Sequence, residues 1–130
     1  MNHAAQDHAD MLAQAVAYCE AVWFARADVF ATMCHDRFFM THTDGGALQH
    51  WDKAAFLARV AARKPSEGAA SYQIMGIDVS GDMARAHLWV DVPGLRFEDH
   101  LGFVKLDGQW KLLTKVFRTL ARLNEQGQVA

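Results

Sequence analysis

The sequence predicts an α+β fold in which three helices come first and pack on one face of a curved, mostly antiparallel sheet. Two patterns predict it. Apolar residues recur at helical spacing in the first half, and the second half is a succession of strand-like segments cut by short turns. The composition agrees: 130 residues, 52% hydrophobic and 22% charged, is ordinary for a soluble globular chain and enough for one domain spanning the whole sequence.

Each element follows from local chemistry. From about His8 to Arg26, Leu12, Val16, Cys19 and Trp23 recur at spacings of three and four and draw one apolar stripe on a long helix. Asp28 is suited to cap a short second helix, Val29 to Cys34, because its carboxylate can accept from the free N–H groups of a first turn. Arg37 to Thr43, rich in Phe and Thr, reads as a strand, Asp44-Gly45-Gly46 as a reversal, and Ala47 to His50 as a short return strand. Asp52 is a natural N-cap for a third helix with Phe56, Leu57 and Val60 on its buried side, and Pro65-Ser66-Glu67-Gly68 ends it. The rest reads as four strands, Ser71 to Val79, Ala84 to Val92, Phe97 to Leu106 and Trp110 to Phe117, joined by Ser80-Gly81-Asp82, Pro93-Gly94 and Asp107-Gly108 into an antiparallel meander. Beyond Phe117 a weak helical pattern in Leu120 and Leu123 gives way to polar residues.

Bulk properties exclude several classes of function. A net charge of -2 with scattered Lys and Arg gives no electrostatic footprint for nucleic acid or an anionic membrane. Met1 to Asp10 lacks the basic start and apolar run of a signal peptide, and no apolar stretch approaches the roughly 18 residues a membrane span needs, so a cytoplasmic location is expected. Cys19 and Cys34 fall in buried segments and are expected to stay reduced, and two cysteines at that spacing do not make a metal site. Phosphate-binding loops and nucleophile motifs are missing, so no cofactor is expected.

Alternation along the strands sorts the sheet into two unlike faces. Two-residue turns at Pro93-Gly94 and Asp107-Gly108 set His87 opposite His100, Leu88 opposite Asp99, Phe103 opposite Leu112 and His100 opposite Lys115. One face then carries Met75, Ile77, Val79, Leu88, Val90, Phe97, Leu101, Phe103, Trp110, Leu112 and Val116, apolar apart from Asp99 and Thr114. The other carries Arg85, His87, Trp89, Asp91, Arg96, Glu98, His100, Lys111 and Lys115. The apolar face should meet the helices, which leaves Asp99 as a carboxylate in a greasy interior, where an unpaired charge is costly.

The long first helix, the corner Cys34-His35-Asp36, the Thr43-Asp44-Gly45 hairpin, Ile77-Asp78-Val79-Ser80-Gly81-Asp82-Met83-Ala84, Phe97-Glu98-Asp99-His100-Leu101 and the closing Gly108-Gln109-Trp110-Lys111-Leu112 with Lys115-Val116-Phe117 together resemble the lumazine-binding, SnoaL-like branch of the nuclear transport factor 2-like superfamily. The resemblance covers about residues 8–117 and leaves 118–130 as a tail. It implies a cone-shaped, cystatin-like fold around one small-molecule pocket and a homodimer, in a superfamily that includes ketosteroid isomerase-like and scytalone dehydratase-like enzymes, polyketide cyclases and non-catalytic binding subunits.

The candidate site follows from these readings. Asp99 is the first candidate, as a general base or as a neutral hydrogen-bond donor, with Tyr18 of the first helix as the available phenol. His42 stands about where the resemblance implies a base, with His50 as its competitor. Trp23, Leu88, Phe103 and Leu112 are the expected lining of a largely apolar pocket for a small organic ligand. If there is a reaction, cofactor-free proton transfer of the isomerase, dehydratase or cyclase type fits best. The other reading is a ligand-binding or association module. His87 and His100 form a cross-strand pair on the outer face, where two ligands are too few for a metal and a dimer interface is expected around Trp89. His35 and Asp36 are expected to bridge backbone groups at the helix-to-strand corner.

Overall fold

The computed structural model describes residues 3–130; Met1 and Asn2, the start of the N-terminal segment read above, lie outside the described residues. Helices α1 (Ala4–Trp23), α2 (Ala27–Met33) and α3 (Lys53–Ala61) are joined by strands β1 (Cys34–His42) and β2 (Gln49–Asp52), with a short 3-10 turn at Asp44–Gly46 between the strands. Strands β3 (Tyr72–Ser80), β4 (Met83–Val92), β5 (Leu95–Leu106) and β6 (Gln109–Arg122) follow. They form a six-stranded sheet of order β2-β1-β6-β5-β4-β3, in which β1 and β6 run parallel and every other neighbouring pair is antiparallel. The α+β architecture is therefore as expected, with the sheet mixed at one junction.

Local chemistry explains the turns and most of the caps. Asp107 and Gly108 both have positive φ, 51° and 78°, the backbone that a two-residue hairpin needs to match strand twist, so Leu106 pairs with Gln109. Asp52 caps α3 by accepting from the Ala55 N–H at 2.9 Å. Lys53, one residue on, donates to the Ala31 and Cys34 carbonyls and to Asp36, tying α3 to the corner where α2 becomes β1. At the same corner His35 Nδ1 accepts from the Arg37 N–H, as expected, whereas Asp36 meets the Lys53 side chain and not a backbone group.

Three expectations are corrected. Asp28 does not cap α2; it sits inside the first turn and pairs with Arg26 at 2.8 Å. The chain beyond Phe117 does not turn helical, because β6 continues to Arg122 beside β5 and Leu123 bridges to Val129. In α1 the buried stripe is Met11, Ala15, Tyr18, Cys19 and Val22, whereas Leu12 is 42% exposed. The stripes 11-15-18-22 and 12-16-19-23 have the same period and lie side by side, so spacing alone does not choose between them. The choice turns Tyr18 into the core and Trp23 toward the edge.

Cys19 and Cys34 are free and buried. Burial pushes the Cys34 thiol up to about 12, against the pull of Lys53 and Lys115, and burial followed by the charge of Asp99 pushes Cys19 up as well. A thiol raised in the folded state contributes stability that is complete below its ordinary value near 9 and is lost as pH climbs toward the folded value. The urea midpoint is thus expected to fall between about pH 8 and 10.5, with about 1–2 kcal/mol of the loss due to Cys34. A Cys34→Ala variant should lose correspondingly less over the same interval.

Candidate functional site

The site is created by irregularities in the sheet. Phe103 pairs with Leu112 but Gly102 pairs with Thr114, so Leu113 is an extra residue in β6, a β-bulge. A Cβ on Gly102 would collide with Thr114 Oγ1, so the bare glycine is what leaves room for the Thr114 side chain in its present position. Past the bulge, as far as Thr119, each β6 side chain lies on the face opposite to the one expected. Val116, not Lys115, lies opposite His100 and is 54% exposed, while Lys115 pairs with Leu101 and is turned inward at 8% exposure. This corrects the outer-face assignment of Lys115 and the inner-face assignment of Thr114 and Val116. A second bulge at Met75, between the pairs Ile74–Leu88 and Gly76–His87, turns Met75 outward at 42% exposure and puts Ile74 against the core.

The remaining face assignments hold: Leu88 pairs with Asp99 inside, and His87 with His100 outside. Asp91 is on the outer face yet buried, because it accepts from Ser71 Oγ at 2.6 Å and from the Arg96 guanidinium at 2.8 and 3.1 Å. Arg96 in turn lies 3.7 Å from the centre of the Trp89 ring.

Between the helices and the inner face lies a cavity of about 360 Å³. Val22 of α1, Phe56 of α3, Met40 of β1, Val90 of β4, Phe97 of β5 and Phe117 of β6 give it an apolar wall. Asp99, Lys115, Arg59 and Arg63 are the charged groups in that wall. Asp99 is 0% exposed. Its Oδ2 accepts from the Tyr18 hydroxyl at 2.5 Å and lies 3.9 Å from Lys115 Nζ, and its Oδ1 has no hydrogen-bond partner.

Environment sets the state of the two neighbours. Burial, reinforced by the negative charge of Asp99 and by the bond to it, holds the Tyr18 phenol well above its ordinary value, so it remains a donor. Burial lowers the Lys115 ammonium, Asp99 works in the opposite direction, and Arg63 and Arg59 lower it further. The Lys115 nitrogen lies 4.8 Å from the ring centre of Phe56, 4.7 Å from that of Phe117 and 5.5 Å from that of Tyr18, a cation boxed by three π faces.

The other expected residues are placed as follows. Tyr18 stands behind Asp99 and is not among the residues lining the cavity. His42 lies at the margin, its ring stacked on Trp51 at 5.0 Å and 4.8 Å from Phe117, which does line the cavity. Its Nδ1 accepts from the Asp44 N–H at 3.1 Å, which leaves Nε2 as the protonated nitrogen of the neutral ring. His50 is exposed and stacks on Phe39. Leu88, Phe103 and Leu112 are closed inside the packed core and are not cavity-lining residues. Trp23 donates to the Gly68 carbonyl at 3.2 Å and lines a separate, wider cleft of about 720 Å³, whose buried Asp91 is already ion-paired. Lys115, Arg59 and Arg63 were missed by sequence reasoning.

On the outer face Glu98 joins His87 and His100, and one potential ligand atom of each lies within 4.8 Å of the others. The two imidazoles are stacked, 4.3 Å apart and 11° from parallel, so an ion cannot lie in both ring planes without one ring turning. Glu98 meets His87 at 2.6 Å and Arg118 at 2.7 Å, so the cluster as arranged is a hydrogen-bond network centred on Glu98.

With this geometry in hand, comparison with known proteins gives the class of molecule. The family described as "Putative lumazine-binding" matches residues 6–118, and the chain belongs to this family. Its fold is that of nuclear transport factor 2-like proteins. A protein of that type and of unknown function from Silicibacter pomeroyi superposes with a TM-score of 0.83 at 24% identity, covering 92% of this chain and 99% of its own. Another, from Shewanella baltica, gives 0.83 at 19% identity over 92% and 98%. A third, from Methylobacillus flagellatus, gives 0.76 at 20% over 89% and 94%. Among curated proteins nothing matches. No helix among the described residues is long and apolar enough to cross a membrane.

Proposed function

We propose that the protein binds a small organic molecule in the cavity between its helices and the inner sheet face, with Asp99 as the polar anchor. One observation carries this reading. Asp99 stands in the wall of a largely apolar cavity and its buried Oδ1 has no hydrogen-bond partner, and an orphaned acceptor costs about 1–3 kcal/mol unless something donates to it. A donor on a bound ligand would remove that cost, while Tyr18 holds the carboxylate in place from behind.

Binding is favoured over proton transfer by how the candidate groups are engaged. The single hydroxyl hydrogen of Tyr18 is directed at Asp99 Oδ2 and is not free to meet a developing oxyanion. His42 packs against Trp51 and Phe117 and is not among the residues lining the cavity, so a base there would act from the margin. The protein on this reading is a cytoplasmic homodimer without a cofactor, its copies meeting on the outer sheet face around Val116, His100 and Trp89. Trp89 lies among charged residues on that face, a composition that suits an interface.

A single measurement tests both parts. Native mass spectrometry of freshly purified protein at micromolar concentration is expected to give twice the chain mass plus a retained small molecule, and an Asp99→Asn variant should retain less of it. A bare monomer under the same conditions would contradict both.

A further inference from the structure

The charges around the cavity are unevenly matched. The chain as a whole is slightly acidic, with a net charge of -2, yet the cavity wall holds three cationic side chains, Arg59, Arg63 and Lys115, against the one carboxylate of Asp99. Of the ten cations outside the cavity, Arg26, Arg85, Arg96, Lys105 and Arg118 each meet a carboxylate at 2.7–2.8 Å and Lys53 meets Asp36 at 3.3 Å, while Arg37, Lys64, Lys111 and Arg122 meet none among the described residues. The three cavity cations have no close partner although they border a partly desolvated space. Lys115 comes no closer than 3.9 Å to Asp99, Arg59 lies over the Trp51 ring at 4.7 Å, and the Arg63 guanidinium has no carboxylate within ion-pair distance among the described residues.

Cations in a desolvated wall carry an electrostatic cost that only an anion or water removes. Burial lowers the Arg63 guanidinium as well as the Lys115 ammonium, so both lie on the desolvated side of the site. Guanidinium groups pair well with carboxylates because two parallel N–H donors match two oxygens. Arg59 is exposed at the rim and screened by water, so the desolvated part of the wall holds two cations against Asp99, and one further negative charge balances it.

We infer that the ligand is an organic monocarboxylate with an apolar, ring-sized body: its carboxylate meets Arg63 and Lys115, with Arg59 at the rim, and its body lies against Phe56, Phe97 and Phe117. A hydroxyl or N–H group on that body answers Asp99 Oδ1. This assignment rests on the ligand-binding reading above and adds the sign of the ligand's charge. An anion beside Lys115 also favours its protonated form against the push of burial, so binding and protonation reinforce each other.

The test uses defined probes on the intact chain: benzoate, phenylacetate, cyclohexanecarboxylate and 4-hydroxybenzoate, each beside its uncharged primary amide, titrated calorimetrically at about pH 7.5. NMR shift changes at Phe56, Phe97 and Phe117 would locate the bound probe. At least one acid is expected to bind in the cavity about tenfold or more tighter than its amide, as a charge-assisted hydrogen bond allows. Lys115→Met and Arg63→Gln should each weaken the acid about fivefold or more and leave the amide within about twofold. Arg63 is half-buried, so the second variant keeps the test valid if the first folds poorly. Amides binding in the cavity as tightly as acids, or acids indifferent to both variants, would overturn the anion assignment and leave the binding reading intact. If neither class binds, both fall.

Discussion

Replacing Asp99 with alanine is expected to lower the stability of the protein by about 3–5 kcal/mol, read as a shift of the urea midpoint at unchanged slope. The cost does not come from the strength of the Asp99–Lys115 pair, which at 3.9 Å is loose. It comes from what is left behind. Lys115 would be left in a site 8% exposed, with Arg59 and Arg63 nearby and the group that most favours its protonation gone, so it must either hold an unpaired charge there or give up its proton, and both are costly. The Tyr18 hydroxyl, fully buried, would lose its acceptor. Two further results separate this account from simple loss of packing. The Tyr18 phenol should titrate lower in the variant, because two of the causes holding it up belong to Asp99. A double variant, Asp99→Asn with Lys115→Met, should be more stable than the sum of the single changes implies, by about 1–3 kcal/mol, since each partner is costly mainly without the other. An Asp99→Ala variant within about 1 kcal/mol of the parent would show that the carboxylate carries no charge burden.

The reach of the sequence can be judged from the same residues. Asp99 was placed correctly because its position depends on the Pro93-Gly94 turn alone, and Val92 does pair with Leu95. Lys115 was misplaced because its position depends on counting through Gly102, where the strands slip by one residue. A signal was present: Gly76 and Gly102 are isolated glycines inside strands, and each stands next to a bulge. For Arg63, two residues past the end of α3, only part of the signal is in the sequence. Arg63 follows Phe56 and Val60 at helical spacing of four and three, and that stripe is the one α3 buries. A charged residue continuing an apolar stripe marks the rim of a cavity when the wall it joins is not closed by packing, which only the assembled chain reveals. The α1 stripe was the converse case, two equivalent periodic rows of which the fit against the sheet selects one.

Phe30→Ala is expected to cost a comparable amount, about 3–5 kcal/mol, and to reach the site without touching it. Phe30 is fully buried, its ring edge-on to Tyr18 at 5.5 Å and tilted against Phe56 at 4.7 Å, and Phe56 continues the chain of rings to Phe38 at 5.3 Å. Removing the ring deletes apolar contacts and leaves a void that α2, only seven residues long, is poorly able to fill by shifting alone. Phe56 would then have room to tilt away from the cavity, and with it would go one of the three rings around the Lys115 nitrogen. Tyr18 would lose the edge contact that helps fix its hydroxyl on Asp99. The urea midpoint should therefore fall together with the affinity for whichever probe the cavity accepts, although Phe30 is not in the cavity wall. A fall in stability with unchanged affinity would mean that Asp99 and Lys115 are positioned by the sheet alone, and that the helices serve the site as a cover.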